Sequence, residues 1–194
     1  MDKEFKEIEK YAKIRNIPIM QKSGINFLTK YINENNVKNI LEIGTAIGYS
    51  AIKMATCNDK VKVTTIERDN ERYMTALKNI KDFNLEKRIT LISGDALDIN
   101  LTDKYDLIFI DAAKGQYIKF FEKYSKNLAK NGVIISDNIE FHGLVEQEER
   151  IESKNLRQLV NKIRNYIEFL NENKDFDTKF YKIGDGISVS TRNV

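Results

Sequence analysis

The stretch VKNILEIGTAIGYSAIKMAT, residues 37–56, decides the fold prediction. Its first part, 37–44, is an apolar run that ends at Gly44, which predicts a buried strand. Residues 49–56 then predict a helix. A buried strand joined to a helix through a glycine-containing turn is the repeating unit of a sheet covered by helices.

The rest of the chain repeats this unit. Further strands are predicted at 61–67, 88–93, 105–111 and 131–138, and a final pair surrounds the turn GDG within 179–192. Helices are predicted at 3–14, 22–34, 70–83, 117–129 and 154–171. This alternation predicts an α/β fold: a mostly parallel seven-stranded sheet with a C-terminal antiparallel hairpin and helices on both faces. The chain shows no internal repeat or linker, so we expect one domain over 1–194.

Composition narrows the class of protein. The 194 residues carry 32 basic and 29 acidic side chains, a net charge of +3 that permits an anionic partner without requiring one. The single Cys57 excludes an intrachain disulfide and suits a reducing compartment. No apolar run approaches the ~18 residues of a membrane span, and the N-terminus lacks the apolar segment of a signal peptide. We therefore expect a cytoplasmic protein that makes no contact with a membrane.

Glycines and acidic side chains cluster after the first three predicted strands. Gly44 and Gly48 form a G-x-x-x-G turn that lets a ligand approach the helix N-terminus closely. Glu67 ends the second strand, where a carboxylate can accept both hydroxyls of a ribose. Asp95 and the amide of Ala96 follow the third strand and can face an adenine. Three loops on one rim of the sheet predict a site for a nucleotide-like cofactor.

The turn favours S-adenosylmethionine over a nicotinamide dinucleotide. The dinucleotide fingerprint G-x-G-x-x-G is absent from the turn. Glu42 would repel a pyrophosphate, yet it suits a cofactor that carries a cationic amino acid group. A NAD-dependent oxidoreductase and a non-enzymatic nucleotide-binding module stay open as alternatives.

Polar side chains end the fourth and fifth predicted strands: Asp111 after one, Asp137 and Asn138 after the other. Adjacent strands lie about 4.8 Å apart, so these three side chains could converge on one ion. Two carboxylates and an amide oxygen form a hard donor set that suits Mg²⁺, Mn²⁺ or Ca²⁺. The alternative is that these polar groups only cap their strands.

The segment FIDAAKGQY, residues 109–117, places Lys114 three residues after Asp111. A nearby cation favours the neutral form of an amine, and only a neutral amine accepts a proton. We therefore interpret Lys114 as a general base, with a solvated surface lysine as the alternative. His142 is interpreted as a loop residue.

Two helices carry basic faces. On the first helix, lysines recur at positions 3, 6, 10 and 13. On the helix at 154–171, an apolar stripe is predicted from Leu156, Leu159, Ile163, Ile167 and Leu170, with Lys154, Arg157 and Arg164 opposite. Basic faces suit a phosphate backbone, although solvated charged faces are the commoner case.

The predicted cofactor loops, the polar ends of the fourth and fifth strands and the FIDAAKGQY segment resemble those of a known family. This family is the metal-dependent, S-adenosylmethionine-dependent O-methyltransferases of the catechol and caffeoyl-CoA type. The resemblance runs from IPIM (17–20) to IGDGISVSTR (183–192). Within that family, FIDAAKGQY, SDNIEFHGLV and IPIM are most similar to the bacterial tRNA 5-hydroxyuridine methyltransferase group. The resemblance implies a Rossmann-like class I methyltransferase fold and a homodimer, with the N-terminal helices at 1–35 covering the cofactor and acceptor site.

The resemblance also assigns roles to residues. It implies Lys114 as the catalytic lysine and Asp111, Asp137 and Asn138 as ligands of Mg²⁺, Mn²⁺ or Ca²⁺. It implies that S-adenosylmethionine contacts Met20, Glu42, Gly44, Ser50, Glu67, Asp95, Ala96 and Asp111. The expected acceptor is 5-hydroxyuridine at the tRNA wobble position, giving 5-methoxyuridine, with Arg157 and Arg164 on the RNA. The alternative acceptors are small catechol-like or hydroxycinnamoyl molecules.

Overall fold

The computed structural model describes residues 1–140 and 153–193. Its helices are α1 (Asp2–Ile14), α2 (Lys22–Glu34), α3 (Tyr49–Cys57), α4 (Asn70–Asp82), α5 (Tyr117–Ser125) and α6 (Lys154–Glu172). Its strands are β1 (Asn39–Ile43), β2 (Lys62–Glu67), β3 (Ile89–Ser93), β4 (Tyr105–Ile110), β5 (Leu128–Asp137), β6 (Phe176–Tyr181) and β7 (Ile187–Arg192). The predicted order of strands and helices is confirmed.

The seven strands form one sheet in the order β3-β2-β1-β4-β5-β7-β6. The first five are parallel, whereas β7 runs antiparallel to both β5 and β6. The chain moves outward from β1 to β3 and then returns to β4 on the other side of β1. Ligands of such sheets bind where this reversal leaves a crevice at the carboxyl ends of the strands. The predicted Rossmann-like methyltransferase fold is confirmed.

Two apolar layers cover the two faces of the sheet. In β1, Ile40 belongs to the layer that includes α1, α2 and α3, and Leu41 belongs to the layer that includes α5 and α6. In β4, Leu107 and Ile108 divide in the same way. Because successive strand residues point to opposite faces, an almost uninterrupted apolar strand supplies both layers.

Two helices present different faces to the core from those predicted. On α4, the sequence spacing predicts an apolar face of Tyr73, Leu77 and Ile80. Ile80 is buried, but Leu77 is exposed and Ala76 is buried instead, because Ala76 packs where the Gly48 turn approaches and only a small side chain fits. On α6, the buried residues are Val160, Ile163, Tyr166 and Leu170. The ring of Tyr166 stands edge-on to Tyr117 at 5.2 Å, and its hydroxyl lies 2.7 Å from Ser136 Oγ. These contacts turn α6 so that Tyr166 faces inward and Leu156, Leu159 and Ile167 are only partly buried.

Three predicted boundaries differ from the structure by three residues or more. Strand β5 begins at Leu128, not at residue 131, so α5 stops at Ser125. A register shift between Tyr105 and Leu107 lets β4 pair with this early part of β5. Strand β6 begins at Phe176, which is buried against Phe121 with ring centroids 4.9 Å apart.

Candidate active site

A cavity of about 980 Å³ lies at the carboxyl ends of the parallel strands. The segments that follow β1, β2, β3, β4 and β5 all contribute to its wall. Ten of the predicted site residues line it: Met20, Gly44, Ser50, Glu67, Asp95, Ala96, Asp111, Lys114, Asp137 and Asn138. Arg157 and Arg164 do not line it, and Glu42 lies behind it.

Gly44 allows the ends of β1 and β4 to meet at the centre of the cavity. Its φ angle is 101°, and a Cβ atom at this position would lie 2.2 Å from the carbonyl oxygen of Asp111. The Asp111 amide donates to the carbonyl of Ile43 at 3.0 Å, which closes the two strands together. Glycine is therefore required here by both conformation and space.

Glu42 is completely buried and is held by two hydroxyl groups. Ser50 Oγ donates to its Oε1, and Thr65 Oγ1 donates to its Oε2 at 2.5 Å. Burial raises the pKa of the Glu42 carboxyl to about 7, although the two hydroxyls oppose this shift. Glu42 therefore reaches the cavity through Ser50, which does line it.

Glu67 and Asp95 stand at the ends of β2 and β3. The Glu67 carboxylate accepts from the amides of Ala46 at 2.7 Å and Asp69 at 2.8 Å, which holds it between the first two loops. The Asp95 carboxylate accepts from the Leu97 amide at 2.8 Å. Both carboxylates are thus held in place by backbone donors at the cavity wall.

Asp111, Asp137 and Asn138 converge as predicted. The Asn138 side-chain amide donates to Asp111 Oδ1 at 3.2 Å and to Asp137 Oδ2 at 3.0 Å. Asn138 itself has a φ angle of 63°, a left-handed conformation that asparagine tolerates better than most residues. Burial, followed by the charge of Asp111, raises the pKa of Asp137 well above its usual range.

This group of side chains fits a divalent cation. Asp137 is buried and Asp111 is partly buried, and two carboxylates kept this close together are costly unless a positive charge joins them. In the described parts of the chain, no three His, Cys, Asp or Glu side chains form a metal-binding group. The third donor would be the Asn138 amide oxygen, which a half-turn of the side-chain amide exchanges with the NH₂ group that now faces the carboxylates. The set would then consist of hard oxygen atoms, as Mg²⁺ prefers.

Lys114 begins a short 3₁₀ helix, Lys114–Gln116, in the segment that joins β4 to α5. Its side chain lines the cavity beside the convergent carboxylates. Its charge lowers the pKa of both Asp111 and Asp137, against the stronger effect of burial. The structure thus places Lys114 near Asp111 and Asp137, whereas its role as a general base stays a prediction.

Several cavity residues were missed by the sequence prediction. Asp185 reaches the wall from the turn between β6 and β7, where only a turn was predicted. Four further basic residues, Arg68, Arg72, Lys119 and Lys162, also line the cavity. The two glycines around Asp185 are a signal that could have found it, whereas the basic residues lie among many surface lysines and arginines. His142 lies outside the described residues.

A family model for O-methyltransferases matches residues 2–193. A caffeoyl-CoA O-methyltransferase from Stellaria longipes is 31% identical over 180 residues, which span 87% of this chain and 72% of that protein. A solved structure from Staphylococcus aureus, provisionally described as a caffeoyl-CoA O-methyltransferase, is 40% identical with a TM-score of 0.93, covering 97% of this chain and 92% of the other.

A solved O-methyltransferase from Bacillus cereus, in complex with S-adenosylhomocysteine, is 27% identical with a TM-score of 0.84. That match covers 100% of this chain and 92% of the other. The family model extends over nearly the whole sequence, including every strand that contributes to the cavity. The chain therefore belongs to the O-methyltransferase family.

Proposed function

We propose that this O-methyltransferase transfers a methyl group from S-adenosylmethionine to one of two vicinal oxygens of a catechol-like or hydroxycinnamoyl acceptor, with a divalent cation. One observation carries the proposal. A single cavity joins the Gly44, Glu67 and Asp95 wall to the convergent Asp111, Asp137, Asn138 and Lys114. Because the cofactor site and the acceptor site open into each other, the methyl group can pass directly from the cofactor to the acceptor.

The wall formed by Gly44, Glu67 and Asp95 is the donor half of the cavity, and it matches the parts of S-adenosylmethionine. Glu67 is placed to accept the ribose hydroxyls, and Asp95 with the Ala96 amide faces the position of the adenine. Gly44 lines the cavity at the centre of the sheet edge, where the methionine part would lie. The B. cereus O-methyltransferase, whose structure contains S-adenosylhomocysteine, supports this choice of cofactor.

The part of the cavity formed by Asp111, Asp137, Asn138 and Lys114 is its acceptor half, which supplies the general base and the ligands of the cation. Asp111, Asp137 and Asn138 would hold the cation, which when bound lowers the pKa of an acceptor hydroxyl and orients it. Lys114 takes the proton from that hydroxyl. The acceptor oxygen then forms a bond to the methyl carbon while the carbon–sulfur bond breaks and its electron pair stays on sulfur. Alignment of donor and acceptor in such a site contributes up to roughly 7–11 kcal/mol.

The basic side chains of the cavity indicate which class of acceptor it suits. Lys119 on α5 and Lys162 on α6 line the cavity, and the Lys162 side chain reaches Gly115, next to Lys114. Basic side chains there suit an acceptor that carries phosphate, such as a coenzyme A thioester. The names of the S. longipes and S. aureus relatives favour this small-molecule class over RNA.

A second candidate acceptor is 5-hydroxyuridine at the tRNA wobble position. The observation that favours it is the exposed lysine face of α1, where the side chains at 3, 6, 10 and 13 all reach solvent. Arg157 is exposed as well, whereas Arg164 is partly buried. Such a face suits the sequence-independent part of RNA binding. This acceptor stays a prediction.

One experiment distinguishes the candidates. The purified protein, S-adenosylmethionine and Mg²⁺ are incubated separately with caffeoyl-CoA, with 3,4-dihydroxybenzoate and with tRNA that contains 5-hydroxyuridine, and products are identified by mass spectrometry. We expect methyl ethers of the small acceptors, lost with excess EDTA or in Asp137→Ala, and unchanged in the exposed control Asp177→Asn. If only the tRNA were methylated, 5-hydroxyuridine would replace the small molecules as the proposed acceptor. Full activity in EDTA would contradict the metal requirement.

The identity of the cofactor is tested by a separate measurement of binding. Calorimetry should detect S-adenosylhomocysteine binding to wild type and to Asp137→Ala, because Asp137 lies in the acceptor half of the cavity. Binding of NAD without any response to S-adenosylhomocysteine would refute the donor assignment.

A further inference from the structure

The turn between β6 and β7 brings a third carboxylate to the acceptor half of the cavity. Asp185 stands between Gly184 and Gly186, whose φ angles are 62° and 85°. A Cβ atom on Gly186 would lie 2.7 Å from the amide nitrogen of Glu140, so the turn can sit here only with glycine. The local sequence thus places Asp185 against the segment that directly follows Asn138.

Main-chain hydrogen bonds hold the turn in this place. The Ile139 amide donates to the Gly186 carbonyl at 3.1 Å, and the Glu140 amide donates to the Asp185 carbonyl at 2.8 Å. Strand β7 continues the attachment by pairing Ile187 with Asp137. Because these bonds use only backbone atoms, they do not require a carboxylate side chain at position 185.

The Asp185 carboxylate is therefore placed by the fold beside a site that already contains two carboxylates. It lines the same cavity as Asp111 and Asp137, and its negative charge acts on both. Such a cluster is unfavourable in the absence of a cation, because like charges repel. Mg²⁺ keeps several of its waters when it binds to proteins, and those waters need acceptors.

We propose that Asp185 is a positioning residue that strengthens divalent cation binding at Asp111, Asp137 and Asn138 by accepting hydrogen bonds from the waters of the ion. This inference rests on the metal part of the proposed function. It adds to that function a residue from the C-terminal hairpin that acts on the ion without being one of its ligands.

The test measures metal binding directly, without acceptor or turnover. Mn²⁺ is titrated into the full chain at pH 8, and free ion is followed by electron paramagnetic resonance. Asp185→Asn should raise the Kd about 10-fold or more, the usual effect of losing a carboxylate next to a ligand shell. Asp177→Asn removes an exposed acid from the same hairpin and should leave the Kd within about twofold of wild type.

Two further measurements separate a role in metal binding from a role in folding. Asp185→Ser also keeps the main-chain hydrogen bonds and should weaken Mn²⁺ binding as Asp185→Asn does. Both variants should bind S-adenosylhomocysteine as wild type does, because the donor half of the cavity is built from β1, β2 and β3.

Each outcome decides the inference. Mn²⁺ affinity in both Asp185 variants that equals that of Asp177→Asn would overturn it, while leaving the metal site itself intact. A wild-type protein that binds no Mn²⁺ would overturn both this inference and the metal part of the proposed function. Equal losses of Mn²⁺ and S-adenosylhomocysteine binding would also overturn it, since they would show that Asp185 supports the fold.

Discussion

Glu42 has no access to solvent, and its two hydroxyl partners do not offset the cost of ionising it. Its carboxyl keeps a proton up to about pH 7 in the folded protein, whereas in the unfolded chain it ionises near 4.5. Above pH 4.5 the unfolded state therefore gains the ionisation that the folded state lacks. The contribution of Glu42 to stability therefore falls as pH rises from about 4.5 to about 7 and is constant above that range.

Glu42→Gln should remove this contribution. With metal and cofactor absent, the decrease in unfolding free energy between pH 4.5 and 8 should be smaller than in wild type by about 3 kcal/mol. Urea unfolding at several pH values measures it. Glu86→Gln, which alters an exposed carboxylate, should reproduce the wild-type decrease. A Glu42→Gln profile parallel to wild type would show that Glu42 is ionised in the folded state.

Lys114 is the residue on which proton transfer depends. Lys114→Ala should lower kcat by about 10²–10⁴-fold, the usual range for a positioned general base. S-adenosylhomocysteine binding should change little, because Lys114 is proposed to act on the acceptor. Steady-state kinetics and calorimetry give the two values. Lys130→Ala, at an exposed position of β5, is the control. If Lys114→Ala lowered kcat by less than threefold, Lys114 would be a surface lysine without a catalytic role.

At the scale of the elements, the junction of β1 with β4 determines the shape of the cavity. Gly44→Ala forces a side chain into a left-handed backbone and against the Asp111 carbonyl. The backbone strain alone costs about 1–3 kcal/mol, and separating the strand ends adds to it. We expect a lower thermal midpoint and a loss of S-adenosylhomocysteine binding.

Gly115→Ala is the matched control for stability. A Cβ atom at Gly115 would meet the flexible end of the Lys162 side chain at 3.1 Å, and this neighbour can move. Its thermal midpoint should stay near wild type. If both alanine variants were equally stable, the close approach of β1 and β4 would not be essential.

The sequence predicted the element order because strand and helix periods are local properties of the chain. It predicted the convergence of Asp111, Asp137 and Asn138 because parallel strands end on one edge of the sheet. The inward face of α6 could not be predicted, since it depends on the hydroxyl contact between Tyr166 and Ser136, which are 30 residues apart. Asp185 was missed for the same reason. Its neighbouring glycines indicate a turn, but the position of that turn beside Asn138 follows from β7 pairing with β5.

At the scale of the whole molecule, α1 is part of the larger apolar layer. Phe5 packs against Phe83 with ring centroids 4.7 Å apart and against Tyr49, a cavity residue, at 6.1 Å. Glu9 accepts a hydrogen bond from the Tyr49 hydroxyl at 2.9 Å. The N-terminal helix is therefore connected to the cavity wall by both apolar and polar contacts.

Phe5→Ala should destabilise the whole chain by about 3–5 kcal/mol in a single unfolding transition, since a buried aromatic ring is lost from the common layer. Ile14→Ala, on the exposed end of the same helix, should change stability by less than about 0.5 kcal/mol. Chemical unfolding followed by circular dichroism and by tyrosine fluorescence measures both. Separate transitions for the two signals would show that the N-terminal helices unfold independently.

No helix in the described parts of the chain has the length and apolar character needed to cross a membrane. The expected homodimer and cytoplasmic location stay predictions.

The insertion of β7 between β5 and β6 has a consequence for biosynthesis. Strand β7 is synthesised after β1 to β6, so one edge of β5 has no neighbour until β7 emerges from the ribosome. The nascent chain can assemble β1 to β5 and their helices, but it cannot yet place the turn that carries Asp185. The complete cavity wall can therefore form only after β7 has passed through the exit tunnel and entered the sheet.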